Sequence, residues 1–464
     1  MSNSKEEYID LKELLKPPVN NKKVIAFYRV LEDYFLLCKG QKKVWNAKFE
    51  QILPDNIQRT KRQQQKIINT LRIIKQYRLT NPITILRMLN TALIPQKEEI
   101  SIKQLDILRA IINNPHLKLK DIRPKDIPPG TFYNMVRALK EKFVIRYWGI
   151  LDPTRFKLVH YHITIRVNAS KVHLLREAVE KSPFVLTLNI DTLTKIFDEY
   201  AGWMSFRVPN QKTIKERFLR WLLKLQKERI FKDETSWHLD EVTSIEYGIN
   251  IDFFDGERWR LDEISVARGF LHLAERTSYT PSKPMTVQKY SYEEIDFDRD
   301  DLILATLYQS NYYTSLDSAV ETLRKYGFKR SKKTVFKKVK RLKELCIKPA
   351  VSMYLNLPVT LLAFLENVRD IDTIRRFLGF MPRYWLYTMK DGDAAIFLQL
   401  PKDVVNEFKY LFSVGGKEGG ENIYDDAIII ESVTSFGKQE KDELVQYWNK
   451  KRRRWEVSQD VFMI

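Results

Sequence analysis

The sequence predicts an α+β fold rich in helices, and three observations lead there. The chain has 464 residues, 44% of them hydrophobic and 30% charged, with only 15 Gly and 18 Pro. That composition excludes collagen-like and broadly disordered chains and allows roughly two to four domains with real cores. Apolar residues recur at helical spacing, as in Leu105, Leu108, Ile111 and Ile112 of "IKQLDILRAIINNP" from Ile102. Elsewhere a strand-like alternation ends at a proline with a helix beside it, as in "WMSFRVPNQKTIKERFLRWLL" from Trp203.

Residues 1–98 form an N-terminal helical basic region, whose clearest periodic helix is "TKRQQQKIINTLRIIKQYR" from Thr60 to Arg78. After it, a pattern occurs twice at a spacing of roughly two hundred residues. "IKQLDILRAIINNP" is matched by "RDDLILATLYQSNY" from Arg299, with Leu302, Ala305, Leu307 and Tyr308 on its apolar face. "EKSPFVLTLNI" around Pro183 is matched by "GFMPRYWLYTM" around Pro382, and "WMSFRVPNQ" by "AIFLQLPKD". Identities are few; the shared order of patterns carries the duplication.

Each copy reads as three helices and a short strand pair, a winged helix-turn-helix. Strand–helix–strand–strand–helix–strand follows, a ferredoxin-like βαββαβ sandwich with helices on one face of an antiparallel sheet. The expected domains are winged helix 1 at 99–158 and α+β domain 1 at 159–255, a linker at 256–297, winged helix 2 at 298–352 and α+β domain 2 at 353–436. The last strands are expected in "SIEYGINIDFF" and "DAIIIESVTSF", and a C-terminal basic helix at 437–464 closes the chain.

A formal net charge of +20 and a pI near 9.5 argue for a polyanionic partner such as nucleic acid. The two cysteines, Cys38 and Cys346, lack metal-ligand spacing, so neither a disulfide framework nor a zinc site is expected and a reducing cytoplasm is the natural compartment. "MSNSKEEYID" has no apolar signal segment, and the best apolar run, Leu355 to Leu365, is too short to span a membrane. No membrane contact is expected.

The densest charge lies in "SKKTVFKKVKRLKELC" from Ser331. Ser331 suits an N-cap, and Val335, Phe336, Val339, Leu342, Leu345 and Cys346 fall on one face. Lys332, Lys333, Lys337, Lys338, Lys340, Arg341 and Lys343 take the remainder, and a helix shaped for solubility alone would mix the signs. The helix before it, "SLDSAVETLRKYG", stops at Gly327, suited to a left-handed cap. In a DNA groove, Lys332, Lys333, Thr334 and Lys337 would reach base edges and Lys338, Lys340 and Arg341 would meet phosphate. In the first copy, Phe132, Val136, Leu139 and Phe143 make a buried face, leaving Thr131, Tyr133, Asn134, Arg137 and Lys140 to face bases or phosphates.

Other constellations carry less. His160 and His162 share a strand face but have no further ligand at motif spacing. "DFDRDD" from Asp296 lacks the Gly and distal Glu of a calcium loop and reads as helix-start acid. "GGKEGG" from Gly415 lacks the phosphate-loop order and reads as a hairpin. "NKKRRRWE" from Asn449 fits a basic tail or an amphipathic helix anchored by Trp448 and Trp455. With no nucleophile–base arrangement, neither an enzyme nor a cofactor is expected.

"LDILRAIINNPHLKLKDIRPKDIPPGTFYNMVRALKEKFVIRYWGILDP" resembles the winged helix of the Lrp/AsnC (leucine-responsive, feast/famine) transcription regulators. "VHYHITIRVNASKVHLLREAVEKSPFVLTLNI" resembles the start of that family's ligand-sensing domain, and the likeness covers residues 101–255 and 298–436. It implies a sequence-specific regulator of double-stranded DNA, here an intrachain pseudo-dimer acting as a monomer or in a higher homo-oligomer. It also implies a small-molecule effector held by a Gly-x-x-Asp turn. In "KDGDAAIF" Gly392 fits while Ala395 takes the Asp position, and the first copy has the longer "DTLTKIFDEYAG", so no effector residues follow. The alternatives are a replication initiator or architectural DNA-binding protein, an RNA-binding factor and a protein–protein scaffold.

Overall fold

The computed structural model describes residues 11, 13–39, 61–93, 100–196, 198–256, 259, 261, 285–355, 357, 359–414, 423–432, 434–437, 443–458 and 462. The "GGKEGG" segment and most of the expected linker lie outside them. Contacts divide the chain into two units. The first comprises Met1–Leu108, Arg123–Ile145 and Met353–Asn356; the second comprises Arg109–Ile122, Arg146–Ser352 and Leu357–Ile464.

In the first unit, helices α1 (Lys22–Cys38), α2 (Lys61–Gln76) and α3 (Pro82–Leu93) bury Val24, Phe27, Leu31, Ile67, Leu71, Ile85 and Leu89 together. Asn21 caps α1 by accepting from the Lys23 and Val24 amides at 3.0 and 3.3 Å. Helix α4 (Ile102–Asn113) begins in this unit, and α5 (Pro129–Phe143) belongs to it. Proline at the first turn suits α5, and Phe132, Val136, Leu139 and Phe143 form its buried face as expected.

The second unit is built on antiparallel sheet. Its first run is β2 (Leu158–Asn168), α6 (Val172–Lys181), β3 (Val185–Ile196), β4 (Glu199–Pro209), α7 (Lys212–Lys227) and β5 (Trp237–Ile249). Its second run is β8 (Val359–Glu366), α11 (Ile371–Leu378), β9 (Arg383–Met389), β10 (Ala394–Leu400), α12 (Val405–Val414) and β11 (Asp426–Ser432). The strands pair in the order β5-β2-β4-β3 in one run and β11-β8-β10-β9 in the other, and β5 pairs with β9 to join them. A short β12 (Thr434–Gly437), one residue after β11, pairs with β3 at the far end of the path. The observed class is therefore α+β with an antiparallel sheet.

Between the runs, α8 (Arg299–Ser310), α9 (Leu316–Lys325) and α10 (Lys332–Leu345) pack on the same core as α7, through Leu304, Leu323, Val335 and Leu342. Gly327 takes φ +81°, a conformation glycine adopts without the Cβ penalty, and ends α9. Ser331 caps α10 by accepting from the Thr334 amide at 3.2 Å.

Four local expectations are corrected. The two short strand pairs expected as wings are replaced by one pair of strands: β1 (Arg146–Leu151) pairs with β7 (Ile347–Ser352). Part of the expected linker is a strand, β6 (Met285–Lys289), which hydrogen-bonds along β5. Phe336 and Leu345 are exposed on α10, because Val335, Val339 and Leu342 already fill the face toward α8 and α9. In place of a C-terminal helix, a four-residue turn of helix (Glu443–Gln446) is followed by the hairpin β13 (Trp448–Asn449) and β14 (Arg454–Trp455). Two indoles seven residues apart suit a helix face or a hairpin equally. Phe297 decides, stacking on Trp448 at 4.1 Å, while the Trp455 indole N–H donates to the Phe156 carbonyl at 3.0 Å.

Candidate anion-binding pocket

The second unit contains a cavity of about 450 Å³ whose walls come from separate segments of the chain. Tyr247 and Ile249 of β5, Thr286 of β6 and Val351 of β7 form its sheet side. His116, Tyr312, Lys343 and Lys348 bring its polar chemistry. Two lysines and a histidine thus line the space, and among the described residues no carboxylate does.

Lys343 projects from the last turn of α10 into an aromatic enclosure. Its Nζ lies 4.2 Å from the ring centre of Tyr312, 4.6 Å from that of Tyr308 and 5.7 Å from that of Tyr313. Burial pushes its pKa down to about 8, whereas three ring faces favour the cation. A value of about 8 still leaves Lys343 mostly protonated at neutral pH, and the ring quadrupoles favour that cation. At neutral pH Lys343 is then an ammonium stripped of part of its water, the state in which a cation holds an anion most strongly.

The enclosure is itself fixed. The Tyr313 hydroxyl shares its one proton between the Pro115 and Leu117 carbonyls, 2.9 and 3.0 Å away, and the Tyr312 amide donates to the Tyr147 carbonyl at 3.1 Å. Tyr247 donates to the Val351 carbonyl at 2.8 Å while Arg383 donates to the Tyr247 oxygen at 3.1 Å. The Thr286 hydroxyl donates to the Pro349 carbonyl at 2.9 Å, securing β7 beside β6. A rigid wall with a desolvated cation can select an anion by shape as well as charge.

The residues singled out in the sequence lie elsewhere. Thr131, Tyr133, Asn134, Arg137 and Lys140 occupy the exposed side of α5 in the first unit. On α10, Lys333, Thr334, Lys337 and Lys340 are exposed, Lys340 facing Glu344 at 3.8 Å, and Lys332 pairs with Asp317 at 2.7 Å. Lys338 and Arg341 turn inward. Lys338 Nζ lies 3.2 Å from Asp300 and 2.6 Å from Asp301, and Arg341 lies 3.0 Å from Asp301. Both carboxylates are fully buried, and Arg330 completes the group at 2.7 Å from Asp300. "DFDRDD" therefore supplies more than helix-start acid: Asp298 caps α8, and the two following carboxylates anchor the basic helix.

The paired histidines are buried in the sheet. His160 exchanges hydrogen bonds with the hydroxyls of Tyr290 and Ser205, both at 2.7 Å, while His162 lies against Trp203 and Tyr387. Burial drives His162 down to about 3 and His160 well below its ordinary value, so both are neutral at neutral pH. Lys343, counted on the basic face of the helix, was given no role from the sequence. The only sequence signal was the "NYYTS" run beside a long basic helix, which places aromatic rings near a lysine without saying which one.

No protein-family model and no curated protein matches the chain. Two solved structures of the siroheme decarboxylase NirDL are similar to it. One has 13% identity and a TM-score of 0.43; the other, in co-complex with an iron-uroporphyrin III analogue, has 14% and 0.44. Each similarity covers 74% of this chain and 97% of the other. These are structures of an enzyme, and with them the expectation of a DNA-binding transcription regulator, and of a chain that is no enzyme, is corrected. The inward commitment of Lys338 and Arg341 accounts physically for part of the charge that suggested DNA. Among the described residues, no helix is long and apolar enough to cross a membrane.

Proposed function

We propose that the chain binds a small carboxylate-bearing molecule in the cavity around Lys343 and acts on it by proton transfer. The observation that carries this reading is the Lys343 ammonium held over three tyrosine rings in a cavity that, among the described residues, no carboxylate lines. Lys343 and Lys348 supply the countercharge, and the tyrosines and prolines of the wall pack against the ligand's apolar part. With an amine at about 8, Lys343 can exchange a proton with the bound molecule near neutral pH.

The same proposal takes the chain as a fused pair of winged-helix and ferredoxin-like units of Lrp/AsnC type. Support comes from the equal strand order of the two runs and from the single strands β1 and β7 that meet between them. The cavity then lies where both halves contribute side chains, His116 from one and Lys343 from the other. One fused chain can thereby build an asymmetric pocket.

The test is a screen of mono- and dicarboxylates against the full chain by thermal shift, followed by calorimetry of the strongest binder. Replacing Lys343 by Gln removes a charged hydrogen-bond donor worth about 1.5–3 kcal/mol, so affinity should fall about 10- to 100-fold. Equal affinity in the Lys343→Gln chain, or no carboxylate that raises the unfolding temperature, overturns the proposal.

A further inference from the structure

The second unit holds another cluster of ligand atoms, away from the residues that line the cavity. His238 and Asp240 sit two apart on β5 and therefore point to the same side, and Asp393 comes from the β9–β10 turn beside them. His238 Nε2 lies 3.1 Å from Asp240 Oδ1 and 3.4 Å from Asp393 Oδ2, and one ligand atom from each residue lies within 4.8 Å of the others.

The cluster is held from behind. Asp393 Oδ1 accepts the Asn367 amide at 2.8 Å, and its backbone carbonyl accepts the Met389 amide at 2.9 Å. The Lys390 amide donates to the Glu241 carbonyl at 2.8 Å, tying the turn to β5. Gly392 takes φ +95° there, which lets the turn fold tightly enough to bring Asp393 onto β5.

What the protein leaves unsatisfied is Asp240. Its side chain is 1% exposed, and its Oδ2 is buried without a hydrogen-bond partner. A buried carboxylate oxygen without a donor costs free energy that native structures rarely leave uncompensated. Two carboxylates converge on one imidazole here, and a dication offsets that excess of carboxylate charge. It would take an imidazole nitrogen and two carboxylate oxygens as ligands and keep open positions toward the half-exposed His238 side.

From this geometry we infer that His238, Asp240 and Asp393 form a binding site for a divalent first-row metal ion such as Zn²⁺. The ion replaces the His238–Asp240 contact, supplies the partner that Asp240 Oδ2 lacks, and fastens the β9–β10 turn to β5. Waters complete its coordination on the open side.

Calorimetric titration of the full, chelator-treated chain with Zn²⁺ tests the site, with Co²⁺ absorption as a second readout of coordination. One saturable equivalent is expected, with affinity lowered about 10-fold or more by Asp393→Asn. His238→Arg keeps a positive charge beside the carboxylates, so it should fold normally and still lose the equivalent. Absence of a saturable equivalent, or one that persists unchanged in both variants, overturns the assignment and leaves the cluster as an ion pair. Because none of these residues lines the cavity, carboxylate binding and metal binding can fail separately.

Discussion

Replacing Lys338 by Met tests whether the basic helix is charged for its own anchoring. Lys338 is 18% exposed and contacts two carboxylates that are 0% and 1% exposed. Removing one member of such a buried group costs about 3–5 kcal/mol when a charge is left alone. Here Arg330 still reaches Asp300 and Arg341 still reaches Asp301, so the expected loss is smaller, about 2–3 kcal/mol. Urea unfolding followed by tryptophan fluorescence reads it, since Arg299 of α8 donates to the Trp448 carbonyl at 2.8 Å and links the helix to the indole pair. Pairing Lys338→Met with Asp301→Asn should cost less than the sum of the two single changes, because the second removes the charge stranded by the first. A loss below about 1 kcal/mol for Lys338→Met, the range of a solvent-exposed ion pair, refutes the reasoning.

The same cluster sets an acid limit. Burial pushes the Asp300 carboxyl up, but Arg330 and Lys338 outweigh it and hold the group below its ordinary 3.8. A carboxyl depressed on folding contributes stability that is complete above the unfolded value and lost as pH falls through the folded one. Asp300→Asn should thus lower stability at neutral pH and flatten its decline below pH 3.8, in denaturant titrations across that range; an unchanged acid limb counts against the network. Gly248→Ala probes the joint between the two runs of strands. An added Cβ would lie 2.3 Å from the ring of Tyr384, itself buried on the paired strand, so a loss of about 1–3 kcal/mol is expected from the same unfolding assay. A neutral result there would mean that β5 and β9 separate more easily than their register implies.

Much of the local structure was legible because local rules govern it. Ser331 and Gly327 mark helix ends through their own chemistry, and the buried face of α5 follows from spacing alone. Phe336 was misplaced because a helix wheel shows which residues share a face, not how wide a face the neighbours cover. The charge of α10 misled for a related reason. A run of lysines reads as a free surface until the partners of Lys338 and Arg341 are found some forty residues earlier, in an acidic segment that looks complete as a helix start. Pairing of β1 with β7, of β5 with β9 and of β12 with β3 joins segments far apart in the chain, and strand alternation carries no partner information. The candidate pocket inherits that limit: His116, Tyr247 and Lys343 are far apart in the chain and line one cavity only in the folded structure.

The most direct test of the central claim is a crystal structure of the full chain with the strongest carboxylate ligand bound. The account predicts the ligand in the cavity of the second unit, a carboxylate oxygen about 2.7–2.9 Å from Lys343 Nζ and its apolar part against Tyr247 or Tyr312. A ligand seated elsewhere, or one in the cavity with its carboxylate turned away from Lys343, would contradict it.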